Sequence, residues 1–584
     1  MLNYFNALAA LLLLNLAISF APNEVLILIN SQNTDYHRQL CEQLRNDILK
    51  QSQSVVGNHV VNVQIMQEIF NYPGDWNILT TLARLPTTLD LVYSKTKWII
   101  LCEDTTSIIL QPLLDKLSME HHTEAFYLGH PLHDQEATII HHFAFFENPR
   151  WFSYPLLRSG VIFTIPLVKR VAAQVASMQR PKTEFYIDAS HELARFIMEN
   201  IAVDSIESLD NSEDVEVTEG LATRDTLYMK HVDNNGISEE PHTLKRKLGY
   251  DIKKVHLKDV SYICSKGATV LKQTCLMYPS QHNSSTCTPI KRNSIYFAIK
   301  TCQKFHKERI PAIENTWGQF AVHKRYFSDV KDKDIPTIAT DVPNADMGHC
   351  AKTLSILKLA LKDIESMNRY KSNQAVLWLF LSDDDTLLSV AGVSNILGCF
   401  NPTENIYLGE RYGYRLHAKD GFNYITGGGG ITLSLPVVRK ILKHCTCPSI
   451  TAPDDMVLGS CLHTLQIKAI HSSRFHQARP ADYNHKLLKI EKPISFHKFW
   501  QLDPKAVYEK WFATDDRKMI ELETLPLQEK EVLINKPNLG RSRNSDYEMQ
   551  PAVKNDKEMS RIATGQQLPL IDVALHSNNK HIDL

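Results

Sequence analysis

The apolar positions of this chain gather into short unbroken runs, and most runs are followed by a stretch in which apolar residues recur every three or four positions. EVLILIN (24–30) precedes a helical pattern from Tyr36 to Gln51, and VVNVQIM (60–66) and KWIILCED (97–104) follow it. Unbroken apolar runs read as strands buried on both faces, and their alternation with amphipathic helices predicts βαβ units and a largely parallel sheet. The pattern lapses at about residue 206, where an acidic stretch, SIESLDNSEDVEVTEG, and a basic one, KRKLGYDIKK, mark a polar linker with cysteines over 206–291. It resumes in a second α/β block, 292–512, which opens with SIYFAIKT and contains VLWLFLSDDDT (376–386). Residues 513–584 are polar with few aromatics, which predicts a partly disordered tail.

The two blocks, 22–205 and 292–512, repeat each other. WIILCEDTT at Trp98 lies over WLFLSDDDT at Trp378, and Phe126–Gly129 matches Ile406–Gly409 at the same offset. YPLLRSGVIFTIPLVKRV from Tyr154 matches YITGGGGITLSLPVVRKI from Tyr424 at a slightly shorter one. Landmarks repeated in one order predict two tandem α/β domains. Their differences divide the work. Asp383, Asp384 and Asp385 face Glu103, Asp104 and Thr105, and Gly427–Gly430 face Leu157, Arg158, Ser159 and Gly160. The earlier block lacks the third carboxylate, and a bulky Leu-Arg pair blocks the backbone approach to a ligand that glycines permit. It is expected not to catalyse, and to bind or position a protein substrate.

Composition narrows the setting. Lys and Arg total 64 against 65 Asp and Glu, so there is no basic excess of the kind nucleic acid requires. Residues 1–21 carry an apolar core ending in small residues, which predicts a signal peptide or, if uncleaved, a signal anchor that would be the one membrane contact. Eleven cysteines at irregular spacing suit disulfides rather than zinc, with one thiol left over. Asn283-Ser284-Ser285 is an acceptor site for N-glycosylation in such a compartment. The final HIDL is similar to a retrieval signal for the endoplasmic reticulum, departing from it at Ile582 and Asp583.

Four clusters in the later block can converge. Three carboxylates at the end of a buried strand suit a hard divalent cation that also meets substrate phosphates. The glycine run, with Gly428 and Gly429 at its centre, allows a donor to approach the backbone. Ala452-Pro453-Asp454-Asp455 leads into a helical segment, where either acid could serve as a cap. Arg474-Phe475-His476-Gln477 follows the probable strand LQIKAIHSS.

IYFAIKTCQKFHKERIPAIENTWGQF (295–320), the triple aspartate, ITGGGGITLS, APDDMVLG and FHQARP together resemble the Fringe-like β-1,3-glycosyltransferases of glycosyltransferase family 31. WLFLSDDDT, ERYGY, YITGGGG, APDDMVLG and ISFHKFW, with the degenerate first copy, look most like the branch that extends O-linked fucose on thrombospondin type 1 repeats with glucose. The resemblance implies a GT-A (Rossmann-like) fold in both blocks, UDP-glucose as donor, Mn²⁺, and inversion at the anomeric carbon. It implies Asp385 and His476 as metal ligands and Asp455, or second Asp454, as catalytic base. Asp383 and Asp384 fall at the donor, and Thr301, Arg309 and Asp329 fall where the family contacts the nucleotide. It places the protein in the lumen of the endoplasmic reticulum. A Fringe-like N-acetylglucosaminyltransferase or core-1-type galactosyltransferase shares these motifs, and a catalytically silent lumenal glycan-binding protein shares the fold.

Overall fold

In the computed structural model the apolar runs become strands of two sheets. It describes residues 24–525 except 55–60, 89–94, 179–183, 202–253, 267–274, 281–286, 347, 371–374 and 500. The N-terminal apolar segment, Asn283, most of the charged linker and HIDL therefore lie outside the described residues. No helix among those described is long and apolar enough to cross a membrane.

The earlier sheet contains β1 (Val25–Asn30), β2 (Asn62–Ile65), β3 (Trp98–Glu103), β5 (Tyr127–Gly129), β6 (Val161–Thr164) and β7 (Leu257–Asp259), in the order β7-β5-β6-β3-β1-β2. A separate pair joins β4 (Thr106–Ile108) to β8 (Met277–Pro279). The later sheet contains β9 (Ile295–Lys300), β10 (His323–Ser328), β11 (Thr337–Ala339), β12 (Trp378–Asp383), β14 (Tyr407–Gly409), β15 (Ile431–Ser434) and β16 (Ile470–His471). Their order is β11-β10-β9-β12-β15-β14-β16, and β13 (Thr386–Leu388) pairs separately with β17 (Ser495–His497). Setting β11 aside, the two orders correspond strand for strand, and so do the directions. β1 is parallel to β2 and β3, as β9 is to β10 and β12. β6 runs antiparallel to β3 and β5, as β15 does to β12 and β14.

The sheets are largely parallel, as expected, and one strand in each, β6 and β15, runs against the rest. Strands buried on both faces read as the same apolar run in either direction, so the pattern does not carry orientation. All four residues Trp378–Leu381 of β12 are buried, as are Trp98–Leu101 of β3. Gly430, at φ +97°, enters β15 where an added Cβ would lie 2.4 Å from the Phe380 ring. Only glycine fits such a backbone against that ring.

Two expected boundaries move. β7 and β8 come from the segment read as linker, and they complete the earlier sheet and its accessory pair. At the other end, the helix Ala513–Thr524 packs on the later core where a tail was expected. Its Asp516 is fully buried and accepts from Ser389 Oγ (2.8 Å), the Ala391 N–H (2.7 Å) and Tyr508 Oη (2.7 Å). A short polar-looking helix held by one satisfied acid leaves little trace in hydrophobic patterning.

The cysteines form Cys264–Cys275, Cys287–Cys399, Cys350–Cys447 and Cys445–Cys461. Cys41, Cys102 and Cys302 are free and buried, so three thiols rather than one remain. Cys445 and Cys447 take different partners, and together they staple the loop before Asp454 to the helices Cys350–Tyr370 and Asp454–Thr464. The halves are joined by Phe185–Tyr186, which pairs with Arg411–Tyr414, and by a Trp76 Nε1 bond to Asn423 Oδ1 at 2.9 Å.

Candidate active site

β12 ends at Asp383, and the three carboxylates stand at the carboxyl edge of the later sheet. Each has a different partner. Asp383 meets Lys300 Nζ at 3.0 Å, and Asp384 accepts from Thr301 Oγ1 and from Arg309, each at 2.6 Å. Asp385 lies 3.1 Å from both Arg309 and His497 Nε2. Burial raises the Asp384 carboxyl above its ordinary range, and its two donors only partly offset this. Burial also opposes ionisation of Asp385, but the charge of His497 and then Arg309 outweighs it and holds the group at about 2.

The histidine beside the acids is His497, not His476. Asp383, Asp385 and His497 bring one ligand atom each within 4.8 Å of one another. His497 Nδ1–H donates to the Gln477 carbonyl at 3.0 Å, which turns Nε2 toward the acids, where it would ligate a cation on losing its proton. Carboxylate oxygens with one imidazole nitrogen suit a divalent cation. An added Cβ on Gly428 would come within 2.2 Å of His497 Nδ1, so this glycine makes room for the ring. His476 instead is buried with Nδ1 on the Ser495 carbonyl, and its nearest carboxylate is Glu491, 4.0 Å from Nε2. The helix His485–Glu491 separates it from β17 in the chain.

The acid pair opens the helix Asp454–Thr464. Asp454 receives Lys300 Nζ at 2.8 Å and Thr353 Oγ1 at 2.6 Å. Burial opposes its charge, and Lys300 overrides burial and pulls the carboxyl below the ordinary range. Among the described residues Asp455 has only backbone donors, Met456 N–H at 2.8 Å and Gly427 N–H at 3.4 Å. Burial, and then the Asp454 charge, push it above the ordinary range. Two adjacent carboxyls with opposed shifts suit one to exchange a proton and the other to stay a fixed charge.

Thr301 and Arg309, which the resemblance puts at the nucleotide, therefore gather at the acids. Asp329 sits at the end of β10 and accepts from the Gln303 N–H at 3.0 Å, which holds the turn after Thr301. Gly429 N–H donates to Gln477 Oε1 at 3.0 Å, and an added Cβ there would sit 3.3 Å from His476 C, so it faces protein rather than open space. Only Gly427 of the run has nothing within 4 Å of its would-be Cβ.

Residues 290–518 match the Fringe-like family. The chain is 35% identical over 502 residues to the human β-1,3-glucosyltransferase, covering 86% of this chain and 87% of that one. It is 34% identical over 503 residues to the mouse β-1,3-glucosyltransferase, covering 86% and 89%. This chain belongs to the Fringe-like glycosyltransferases. A zebrafish (Danio rerio) β-1,3-N-acetylglucosaminyltransferase manic fringe is 29% identical over 210 residues, 32% of this chain and 57% of that protein. Within the Fringe-like enzymes the chain thus stands with the glucosyltransferases, whose likeness runs through both halves.

Three residues of this Fringe-like site escaped the sequence reading of roles. Lys300 bridges Asp383 and Asp454, and a lone lysine ending the apolar run IYFAIK was its signal. Thr353 has none, since it lies on the buried face of an ordinary helix. His497 stood in ISFHKFW, and the signal was the strand itself: β17 pairs with the residues directly after the acids, Thr386 opposite His497.

Proposed function

We propose that this chain is an inverting glycosyltransferase that transfers glucose from UDP-glucose, in β-1,3 linkage, to O-linked fucose on thrombospondin type 1 repeats in the lumen of the endoplasmic reticulum. The observation that carries the reading is identity to β-1,3-glucosyltransferases across both halves, against a Fringe likeness limited to a third of the chain.

In this reading Asp455 accepts the proton of the acceptor's 3-hydroxyl. The oxygen attacks the anomeric carbon as the bond to the diphosphate breaks, and UDP leaves with the electron pair. Lys300 and Thr353 keep Asp454 charged and still, and that neighbouring charge keeps Asp455 basic. Thr301 and Arg309 hold Asp384 toward the donor. Asp385 and His497, with Asp383 adjoining, would hold the divalent cation, proposed as Mn²⁺, which when bound neutralises charge on the leaving diphosphate.

The two halves are assigned to tandem copies of one GT-A-like fold, the first of which does not catalyse. Ser31 bonds Asp104 as Thr301 bonds Asp384, and Thr106 Oγ1 donates to the Arg158 carbonyl (3.0 Å) as Thr386 Oγ1 does to that of Gly428 (2.9 Å). Yet Thr105 stands at the place of Asp385, and Pro279, opposite Thr106, at the place of His497. Purified protein is offered UDP-glucose, UDP-N-acetylglucosamine and UDP-galactose with a fucosylated thrombospondin-repeat peptide, with and without Mn²⁺. Metal-dependent glucosylation alone is expected; preference for another donor refutes the glucose assignment.

A further inference from the structure

A cavity of about 300 Å³ lies between the halves, and none of Asp383, Asp385, Asp455 or His497 lines it. Its floor is the carboxyl end of β1 and β3, the edge where the later sheet carries its acids and where open α/β sheets place ligands. Its roof is the later half. There His476, 1% exposed, lines the cavity. Because Nδ1–H donates to the Ser495 carbonyl, Nε2 carries a lone pair, and it has no hydrogen-bond partner among the described residues. Arg411 also lines the cavity, its guanidinium 4.5 Å over the Trp76 ring and its buried Nε unpartnered. Two residues of its lining thus carry an unused acceptor and an unused donor, beside an aromatic wall. Unpaired buried polar groups are costly unless a guest satisfies them.

The charges select the guest. Arg158 stands 3.5 Å from Glu103 and 4.0 Å from Glu491, so its charge is compensated by carboxylates rather than left for a phosphate. Among the described residues no carboxylates and imidazole of its lining stand close enough together to hold a metal, which disfavours a nucleoside diphosphate. Planar carboxyl and guanidinium groups in rough charge balance, with the Tyr36 and Trp76 rings at hand, match the hydroxyls and C–H face of a neutral sugar. The volume is at the lower end of ligand pockets, about 300–1,000 Å³, and suits one ring.

We propose that this cavity binds a single neutral hexose residue, with a sugar hydroxyl donating to His476 Nε2 and a ring oxygen or hydroxyl accepting from Arg411. The sugar comes either free or as the outer residue of a glycan, and the proposal is independent of the transfer reaction. Saturation-transfer NMR tests it on the full chain with excess UDP and Mn²⁺ occupying the candidate active site. The probes are methyl β-glucoside, methyl α-fucoside, glucose 1-phosphate and a glucosyl-fucosyl glycopeptide. Saturation of at least one methyl glycoside is expected. Its affinity should fall about tenfold or more in His476→Phe, which removes the acceptor, and in Leu157→Trp, which fills the cavity from a half-buried lining position. Glycopeptide binding in addition assigns a glycan end, and its absence assigns a free sugar. Thermal unfolding checks that both variants fold, and a crystal of the unaltered protein soaked with the glycoside gives a reading that needs neither. No signal from neutral sugars, binding of glucose 1-phosphate alone, equal affinity in both variants, or an empty cavity in the soaked crystal overturns the proposal.

Discussion

Alanine at position 497 and alanine at position 476 should behave as different lesions. His497 Nε2 is 3.1 Å from Asp385 Oδ1 and 3.6 Å from Asp383 Oδ2, whereas His476 Nε2 reaches no carboxylate nearer than Glu491 at 4.0 Å. Losing an outer partner of a metal ligand costs about 10–100-fold in metal affinity, so losing a ligand should cost about 100-fold or more, roughly 2.7 kcal/mol. His497→Ala should raise the Mn²⁺ concentration for half-maximal UDP release by that factor. His476→Ala should leave it within about threefold, while lowering the unfolding midpoint through the void it opens. UDP release against Mn²⁺ concentration, with bound Mn²⁺ counted by electron paramagnetic resonance, measures both. A His497→Ala protein with unchanged Mn²⁺ dependence, or a His476→Ala protein shifted as far, refutes the ligand assignment.

Gly428→Ala should lower turnover and shift Mn²⁺ dependence in the same direction as His497→Ala, because its methyl would meet the His497 ring, while Gly427→Ala, facing open space, should stay near wild type; UDP release on the pair tests this. The raised Asp455 carboxyl must be ionised to accept a proton, so kcat/KM should fall as pH drops through a pKa above the ordinary carboxylate range, and Asp455→Asn should abolish transfer while isothermal titration still records UDP and Mn²⁺ binding. A pH profile flat from neutrality down to the ordinary carboxylate range counts against Asp455. Asp516→Ala should destabilise by about 3 kcal/mol or more, since it strands the Ser389 and Tyr508 hydroxyls and the Ala391 N–H, read from urea unfolding.

The strands that carry the site were legible because burial on both faces leaves no polar interruption: Trp378–Leu381 could hardly be read otherwise. The acids were legible because charge at the end of such a run needs a partner. Strand direction was not, since β15 enters antiparallel with the same apolar composition as its neighbours. His476 was read as the ligand from the family resemblance and from its place downstream of the acids. That reasoning uses distance along the chain, whereas a histidine is recruited by a pairing between distant segments, here β17 on β13. The same limit hid β7 and β8, two three-residue strands among polar residues whose only signal is the partner edge they cover. Asp516 shows the reverse case, an acid in a polar segment that is buried because three donors await it.

A fixed cation and an exchangeable one explain, on the proposed reading, why one half could lose chemistry and keep its fold. Asp384 and Asp104 both sit at strand ends and both take a hydroxyl partner from the neighbouring strand, so the carboxyl edge needs compensating charge in either half. In the later half Arg309, Lys300 and His497 share that duty, and His497 approaches because Gly428 has no side chain. In the earlier half the residue at Gly428's place is Arg158, whose own side chain lies against Glu103. Once a guanidinium on a covalent tether compensates the acid, an imidazole ligand has neither room nor purpose, and proline can stand at position 279 without cost to the β4–β8 pair. The arginine stabilises the edge permanently, and for that reason it cannot do what a bound ion does for a leaving diphosphate. A glycine restored at 158 would therefore leave Glu103 and Glu491 short of a counter-charge and rebuild no catalytic site, because Thr105 and Pro279 offer no ligand in place of Asp385 and His497.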